Sequence, residues 1–373
     1  MYFAIRYSRY LKGLRVEIWH KMKVLFAFYA MEYNTFPYEL AKSVEVEGVQ
    51  VQIGIEAFWS CDLQFDIIHI HWPESLFKWQ EPDREELIKI ESTLRNWREL
   101  GSKIVTTRHN ITKHNNDTRN FDTLYSLVYK YSQAVIHLGK YSIKEFAVRY
   151  KEKEFVNQQR HVTIPHGIYT EYPDDISRDD AREKLKINFS DFALLAFGQI
   201  RAKEEKDLLK GAFEKIHISN KKLIVPRWSL PKKRWKRALE KVYYKLHPDY
   251  RFDWHMVPSE DIQLFMNAAD VVIIPRIKNL NSGVLILAFT FGKVVVGTDF
   301  GVIGEILSET GNPTFAPDDI SSVVCAIEDA KELAENGKGE ENRIYAHKKW
   351  NWGKITQEHL ALYKTLISDT QNK

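Results

Sequence analysis

Two stretches of this chain carry residues suited to gripping a diphosphate. In "AFGQIRAKEEKDLLKGAF" the turn at Gly198 is followed by Arg201, Lys203 and Lys206, and in "IPRIKNLNSGVLILAFTFGKVVVGTDFG" an apolar strand breaks into Asn279, Asn281, Ser282 and Gly283 before the chain turns apolar again. A guanidinium offers a planar fork that matches phosphate oxygens, and an ammonium offers a point charge. The first turn of a helix adds unpaired amides at the positive end of its dipole. Each group has a plainer alternative. Asn281 and Ser282 are preferred helix caps whatever the loop binds, and the Arg and Lys residues suit the i, i+4 pairs of a surface helix.

A second constellation is rich in histidine. "FDIIHIHWPE" ends on His69, His71, Trp72 and Glu74, and "TTRHNITKH" supplies His109, Asn110 and His114. His69 and His71 share one face of a strand, as residues two apart must. As metal ligands they lack an acidic partner at a usual spacing, so no metal is expected. For His69 a hydrogen-bonded structural role is the ordinary reading. His109 and His114 sit where a strand gives way to a loop, with little packing reason to be His, and could offer a sugar hydroxyl both donors and acceptors.

These residues need a scaffold that brings strand ends together. Short apolar runs from Met22, Val49, Phe65, Lys103, Gln133 and His161 alternate with helical segments, and after "IYTEYPDDISRDDAREKLKI" the alternation restarts with "DFALLAFGQI", "KKLIVP", "YRFDWHMV", "ADVVIIP" and "KVVVGTD". Apolar strands alternating with amphipathic helices predict parallel sheets covered on both faces. The expected fold is α/β, with two Rossmann-like doubly wound domains facing a cleft. Ligands in such sheets bind beyond the carboxyl ends of the strands. The expected division is a first domain over residues 1–170, with 1–21 as an extension, a linker over 171–188, a second domain over 189–350 and a terminal helical segment over 351–373.

Composition agrees with a globular chain of this size. The 373 residues are 44% hydrophobic and 28% charged, and no apolar run is long enough to span a bilayer. Cys61 and Cys325 are the only cysteines, far apart, which suits a reducing compartment and predicts the cytoplasm. The formal net charge of +4 is uneven. Over residues 1–24, Arg6, Arg9, Lys12, Arg15, Lys21 and Lys23 face Glu17 alone among aromatic residues, a pattern that fits an anionic membrane surface, a leader, or an extra helix; Met22 is an alternative start. "RWSLPKKRWKRALEKVYYK" is a second basic run, read as a solvated helix face, with membrane or nucleic-acid contact as alternatives. No nucleic-acid partner is expected.

GxGxxG, GxxxxGK[ST] and G-x-S-x-G are all absent, which argues against nicotinamide-dependent dehydrogenases, P-loop NTPases and hydrolases. The order "HIHWPE", "TTRHN…KH", "IPHGIY", "FGQIRAKEEKDLLKGAF", "ADVVIIPR" and "NSGVLILAFTFGKVVVGTDFG" instead resembles the GT-B-fold glycosyltransferases. Family four, and bacterial transferases that build exopolysaccharide, capsule or lipopolysaccharide, are the most similar. The resemblance spans about residues 22–350 and is strongest from 190 to 306.

That resemblance implies donor binding in the second domain, acceptor binding in the first, and a last helix that crosses back. Arg201 would neutralise the departing diphosphate, and the amides at Ser282 and Gly283 would meet the same phosphates. Gly198, Lys203, Lys206, Asn279 and Asn281 complete the implied donor side. His109 would lie by the transferred sugar, with His71, Trp72, His114 and His166 on the acceptor side. Catalysis is assigned to His109, Arg201 and Asn279. The chain also departs from the family pattern. The usual pair of Glu residues falls on Asn279 and Leu287, and the usual Lys of the turn falls on Glu204.

The implied reaction moves a sugar from a nucleotide-diphosphate donor to a glycan or lipid-linked glycan. It would be retaining, metal-independent and free of cofactors, in bacterial surface polysaccharide synthesis at the inner membrane face. A sugar-nucleotide-binding or glycan-binding subunit without catalysis, or a GT-B-like epimerase, would share the fold.

Overall fold

The computed structural model describes residues 21–29, 34–112, 118–200 and 202–371. Strands β1 (Lys23–Ala27), β2 (Gln50–Ile53), β3 (Ile67–His71), β4 (Lys103–Arg108), β5 (Ala134–His137) and β6 (Arg160–Thr163) form one sheet in the order β2-β1-β3-β4-β5-β6. Every neighbouring pair is parallel. The reason lies in runs such as "VLFA" and "IIHIH", buried on both faces: helices must cover each side, and the same helices supply the crossovers that parallel pairing requires.

The second unit repeats the plan. β7 (Phe192–Leu195), β9 (Lys221–Val225), β11 (Tyr250–Phe252), β12 (Val271–Ile274), β13 (Val294–Thr298) and β14 (Thr314–Phe315) form a second parallel sheet, ordered β11-β9-β7-β12-β13-β14. A separate pair joins β8 (Gln199–Ile200) to β10 (Arg227–Trp228). The doubly wound α/β architecture expected from the sequence is therefore the one found. β8, β10 and β14 were not expected, because two residues carry no periodicity.

Between the sheets, the helix Arg178–Leu185 docks on the second unit through Arg182, which is fully buried. Its guanidinium donates to the carbonyls of Ala268, Asn188, Phe189 and Asp191 and to the Asp270 carboxylate at 2.7 Å. A buried cation persists only when so fully satisfied, which makes this segment part of the second unit's packing rather than a free connector.

The last helix, Trp352–Gln371, packs on the first unit. The Tyr363 hydroxyl reaches His69 Nδ1 at 2.7 Å, Thr356 donates to Ser43 at 2.8 Å, and the Trp352 indole donates to the Ile168 carbonyl at 2.9 Å. The units also meet directly. Glu305, on the helix Gly301–Glu309, accepts from the amides of Lys140 and Tyr141 at the start of the helix Lys140–Arg149. A carboxylate at the positive end of a helix is well placed.

Candidate functional site

The first wall of the cleft grows from the ends of β3 and β4. His69 is satisfied at both nitrogens, by Tyr363 and by the Thr107 hydroxyl at 2.7 Å, and is therefore a structural residue. His71 points the same way but nearer the strand end, and its Nδ1 lies 3.0 Å from His109 Nε2. The chain then turns at Trp72 with φ of 50°, a backbone region that an indole residue occupies only when its surroundings enforce it. That turn lays the Trp72 ring flat against His109, with centroids 3.7 Å apart. Two residues on, Glu74 is buried and accepts from the Tyr125 hydroxyl at 2.7 Å.

Buried Arg108 fixes the base of His109, donating to the Ser142 carbonyl at 2.9 Å and pairing with Glu145. Burial is the largest cause that holds His109 well below the ordinary imidazole range, followed by its neighbours His71 and His166. Burial likewise drives His71 to about 3 and His166 to about 4. All three are neutral hydrogen-bonding groups at pH 7. His71 Nε2 is buried without a partner among the described residues. Placing the His71 proton on Nδ1 avoids orphaning a buried N–H, so His109 accepts at Nε2 and carries its own proton on Nδ1.

The second wall follows β12. Arg276 donates two bonds from Nη1 to the Glu205 carboxylate, at 2.6 and 2.7 Å, and one from Nη2 to the Gln199 carbonyl at 2.7 Å. A guanidinium has five N–H donors, so Arg276 keeps donors in hand. Asn281 crosses the cleft and donates to the His109 carbonyl at 2.7 Å, while its Oδ1 is buried without a partner among the described residues. Ser282 is the N-cap of the helix Gly283–Thr290, but its side chain makes no capping bond. The plain capping reading of "NSG" therefore does not hold for Ser282. Gly301 has φ of +75°, and a Cβ there would lie 2.5 Å from the Asn279 carbonyl, so only glycine lets the next helix begin beside this loop.

A cavity of about 470 Å³ lies between the walls. Trp72, Glu74, His109 and His166 line it from the first unit, and Arg276, Asn279, Asn281, Ser282 and Gly283 from the second. His166 stacks on Phe36, with centroids 4.0 Å apart, and its Nδ1 donates to the Gly167 carbonyl. His71 lies just behind, reaching the cavity only through His109. Gly198 turns the chain after β7 with φ of +85°, and the nearest atom to a Cβ there would be Val284 Cγ2 at 3.7 Å.

Other expected residues lie elsewhere. Lys203 points outward, 84% exposed, paired with Asp207 at 2.7 Å, and Lys206 turns back to the Ser229 carbonyl and over the Trp228 ring. Neither lines the cavity, because the first turn of the helix Lys203–Lys215 presents them to its flank. Arg201 and His114 lie outside the described residues. Sequence reasoning passed over Arg276 and gave Glu74 no role, although each closely follows a buried strand, where ligand groups are expected. Among the described residues, no group of three or more His, Cys, Asp or Glu side chains is placed to hold a metal ion.

Tyr169 gives Gly283 a testable role. A Cβ on Gly283 would stand 2.6 Å from the Tyr169 hydroxyl. Gly283→Val should thus lower stability by about 1–3 kcal/mol through overpacking, and weaken nucleoside-diphosphate binding. Tyr169→Phe in the same protein removes the clash. If the helix terminus holds the donor, melting recovers but binding does not. Recovery of both would reduce Gly283 to a packing residue.

No protein family's sequence profile matches the chain, and no curated protein matches it in sequence. The likeness to known proteins is one of structure. Sucrose-phosphate synthase from Thermosynechococcus elongatus is similar with a TM-score of 0.70, over 94% of this chain and 100% of that one, at 15% identity. HepE of Anabaena, solved in complex with UDP, gives 0.67 over 92% and 100% at 14% identity. The catalytic domain of starch synthase IV from Arabidopsis thaliana, bound to ADP and acarbose, gives 0.68 over 93% and 99% at 12% identity. These likenesses establish the fold as GT-B, and activity must be argued from the site.

Proposed function

We propose that this protein transfers a sugar from a nucleotide-diphosphate donor to a hydroxyl of a glycan or lipid-linked glycan, in surface polysaccharide synthesis on the cytoplasmic side of a bacterial membrane. One observation carries this reading: a single cavity sets Arg276 and an uncapped helix terminus on one wall against neutral His109, Trp72 and Glu74 on the other. Structural neighbours support it, since HepE was solved with UDP and with UDP-glucose, and starch synthase IV with ADP and acarbose.

The walls divide the chemistry. Negative charge develops on the departing diphosphate, where a guanidinium and oriented amides stabilise it most. As that bond lengthens, the sugar gains oxocarbenium character. Trp72 and His109 offer it an aromatic face and a neutral hydrogen-bonding edge, and closure of the cleft keeps out water that would hydrolyse the donor. Arg201 and Asn279 are proposed to share the donor.

The resemblance favours retention of configuration, in which the leaving phosphate assists the acceptor hydroxyl and no protein base is needed. Glu74 favours a second reading. It is the one carboxylate among the described residues lining the cavity, and such a group can take the acceptor proton while configuration inverts. Glu74→Gln together with the anomeric configuration of the product separates them: an inverted product whose formation falls at least about a hundredfold in the variant selects the base. A retained product with a near-normal rate selects phosphate assistance.

Thermal melts test the donor site. A nucleoside diphosphate at a hundred times its dissociation constant should add about 2.7 kcal/mol. If UDP, GDP and ADP all leave the transition unmoved, the donor assignment fails.

A further inference from the structure

The basic run of the second unit forms the helix Arg234–Leu246, and its apolar side chains do not all face inward. Tyr244 is its one buried residue, packed on Trp228 and Phe252. Half a turn around, Trp235, Leu239, Val242 and Leu246 recur at i, i+4, i+7 and i+11 and are 61%, 62%, 55% and 76% exposed. Tyr243 extends the stripe. An isolated exposed leucine needs no explanation, but a continuous ridge on the outer face of a helix does. The sequence suggests a solvated face here, and the face is exposed as expected, but what meets water is an apolar stripe.

Charge decides what covers it. From residue 232 to 246 there are seven cations, Lys232, Lys233, Arg234, Lys236, Arg237, Lys241 and Lys245, and a single acid, Glu240, which accepts from the Trp228 indole at 2.7 Å. Lys236 flanks the ridge on one side, and Arg234 and Lys245 on the other, where long stems can lie along apolar surface while their charges stay in water. A second copy would set the seven cations of each face against those of the other. A nucleic acid would leave Leu239, Val242 and Leu246 against phosphates, without apolar partners. An anionic bilayer satisfies both halves: its headgroups meet the cations, its acyl boundary takes the ridge, and Trp and Tyr suit the interface between them.

We propose that the helix Arg234–Leu246 is a membrane-docking surface that lies in the headgroup layer of an anionic bilayer. Among the described residues no helix is long and apolar enough to cross a membrane, so the association is with a surface. The inference stands apart from the proposed reaction, since docking is read without turnover.

The test is co-sedimentation of the full chain with vesicles of phosphatidylglycerol and phosphatidylcholine in equal parts, against vesicles of phosphatidylcholine alone. Binding should favour the anionic vesicles and fall with added salt. Leu239→Gln with Leu246→Gln should lower partitioning at least about tenfold while the melting transition stays put. Arg234→Gln with Lys245→Gln should flatten the salt dependence. Equal sedimentation of the leucine variant would overturn the proposal and place the contact elsewhere, residues 1–21 included. Failure of the unaltered chain to sediment would also overturn it. So would a concentration-dependent dimer that the leucine changes dissolve, which would give the face to a second copy.

Discussion

Arg276→Ala should reduce sugar transfer by about a hundredfold or more and weaken nucleoside-diphosphate binding with it, since one preorganised donor to a developing anion is worth about 2.7–4 kcal/mol. Three of its five N–H donors already hold Glu205 and Gln199, so the guanidinium is fixed before any ligand arrives. Preorganisation is what makes such a contact effective. The change also strips Glu205, 9% exposed, of a cation that compensates its burial, so some loss of stability is expected. Arg276→Lys separates the two effects: it keeps the charge for Glu205 but loses the fork, and should recover melting more than transfer. Initial rates with calorimetric binding of the nucleotide read both. Full activity in Arg276→Ala would remove this residue from the donor site.

Acid should unfold the protein early. Burial holds His71 near 3, His359 near 4 and His137 near 2, each far below an ordinary imidazole at 6.5. A folded state that refuses a proton the unfolded chain accepts loses stability as pH falls below the unfolded value. Stability from these residues is therefore complete above about pH 6.5 and drains away toward the folded values. Each contributes about 1.4 kcal/mol per pH unit inside that window, or about 2 kcal/mol by pH 5. Three such losses rival the 5–15 kcal/mol of a typical domain. The melting temperature should be level from pH 8 to 7 and drop steeply below 6.5. His359→Gln should make the slope shallower by one proton. A transition unchanged down to pH 5 would contradict the buried, neutral state of these side chains.

The fold was legible because a strand buried on both faces has to be apolar throughout, and "VVII" or "IIHIH" says so without help. The site was legible only in part, for a geometric reason. Sequence places a residue after a strand but does not give its direction. Lys203 and Arg276 both follow strands of the second sheet, yet the helix turns Lys203 outward while the loop after β12 lays Arg276 along the cavity. The partner that makes His69 structural lies 294 residues away on the last helix, a contact that no local pattern announces. The 235, 239, 242 and 246 stripe was present as a period, but Tyr244 on the opposite face made either side a candidate for the core. Ser282 shows the converse: its type suggested a cap, and the structure leaves the cap unmade.

The central claim, transfer across this cleft, is tested most directly by acceptor-dependent release of nucleoside diphosphate. The full chain would be incubated in EDTA with UDP-, GDP- and ADP-sugars, with and without glycan and lipid-linked glycan acceptors. Release that requires an acceptor, persists in EDTA and is lost in His109→Ala while nucleotide affinity stays near normal is the predicted result. Nucleotide binding without turnover on any acceptor would contradict it and make the chain a binding subunit, and release without acceptor would point instead to epimerisation.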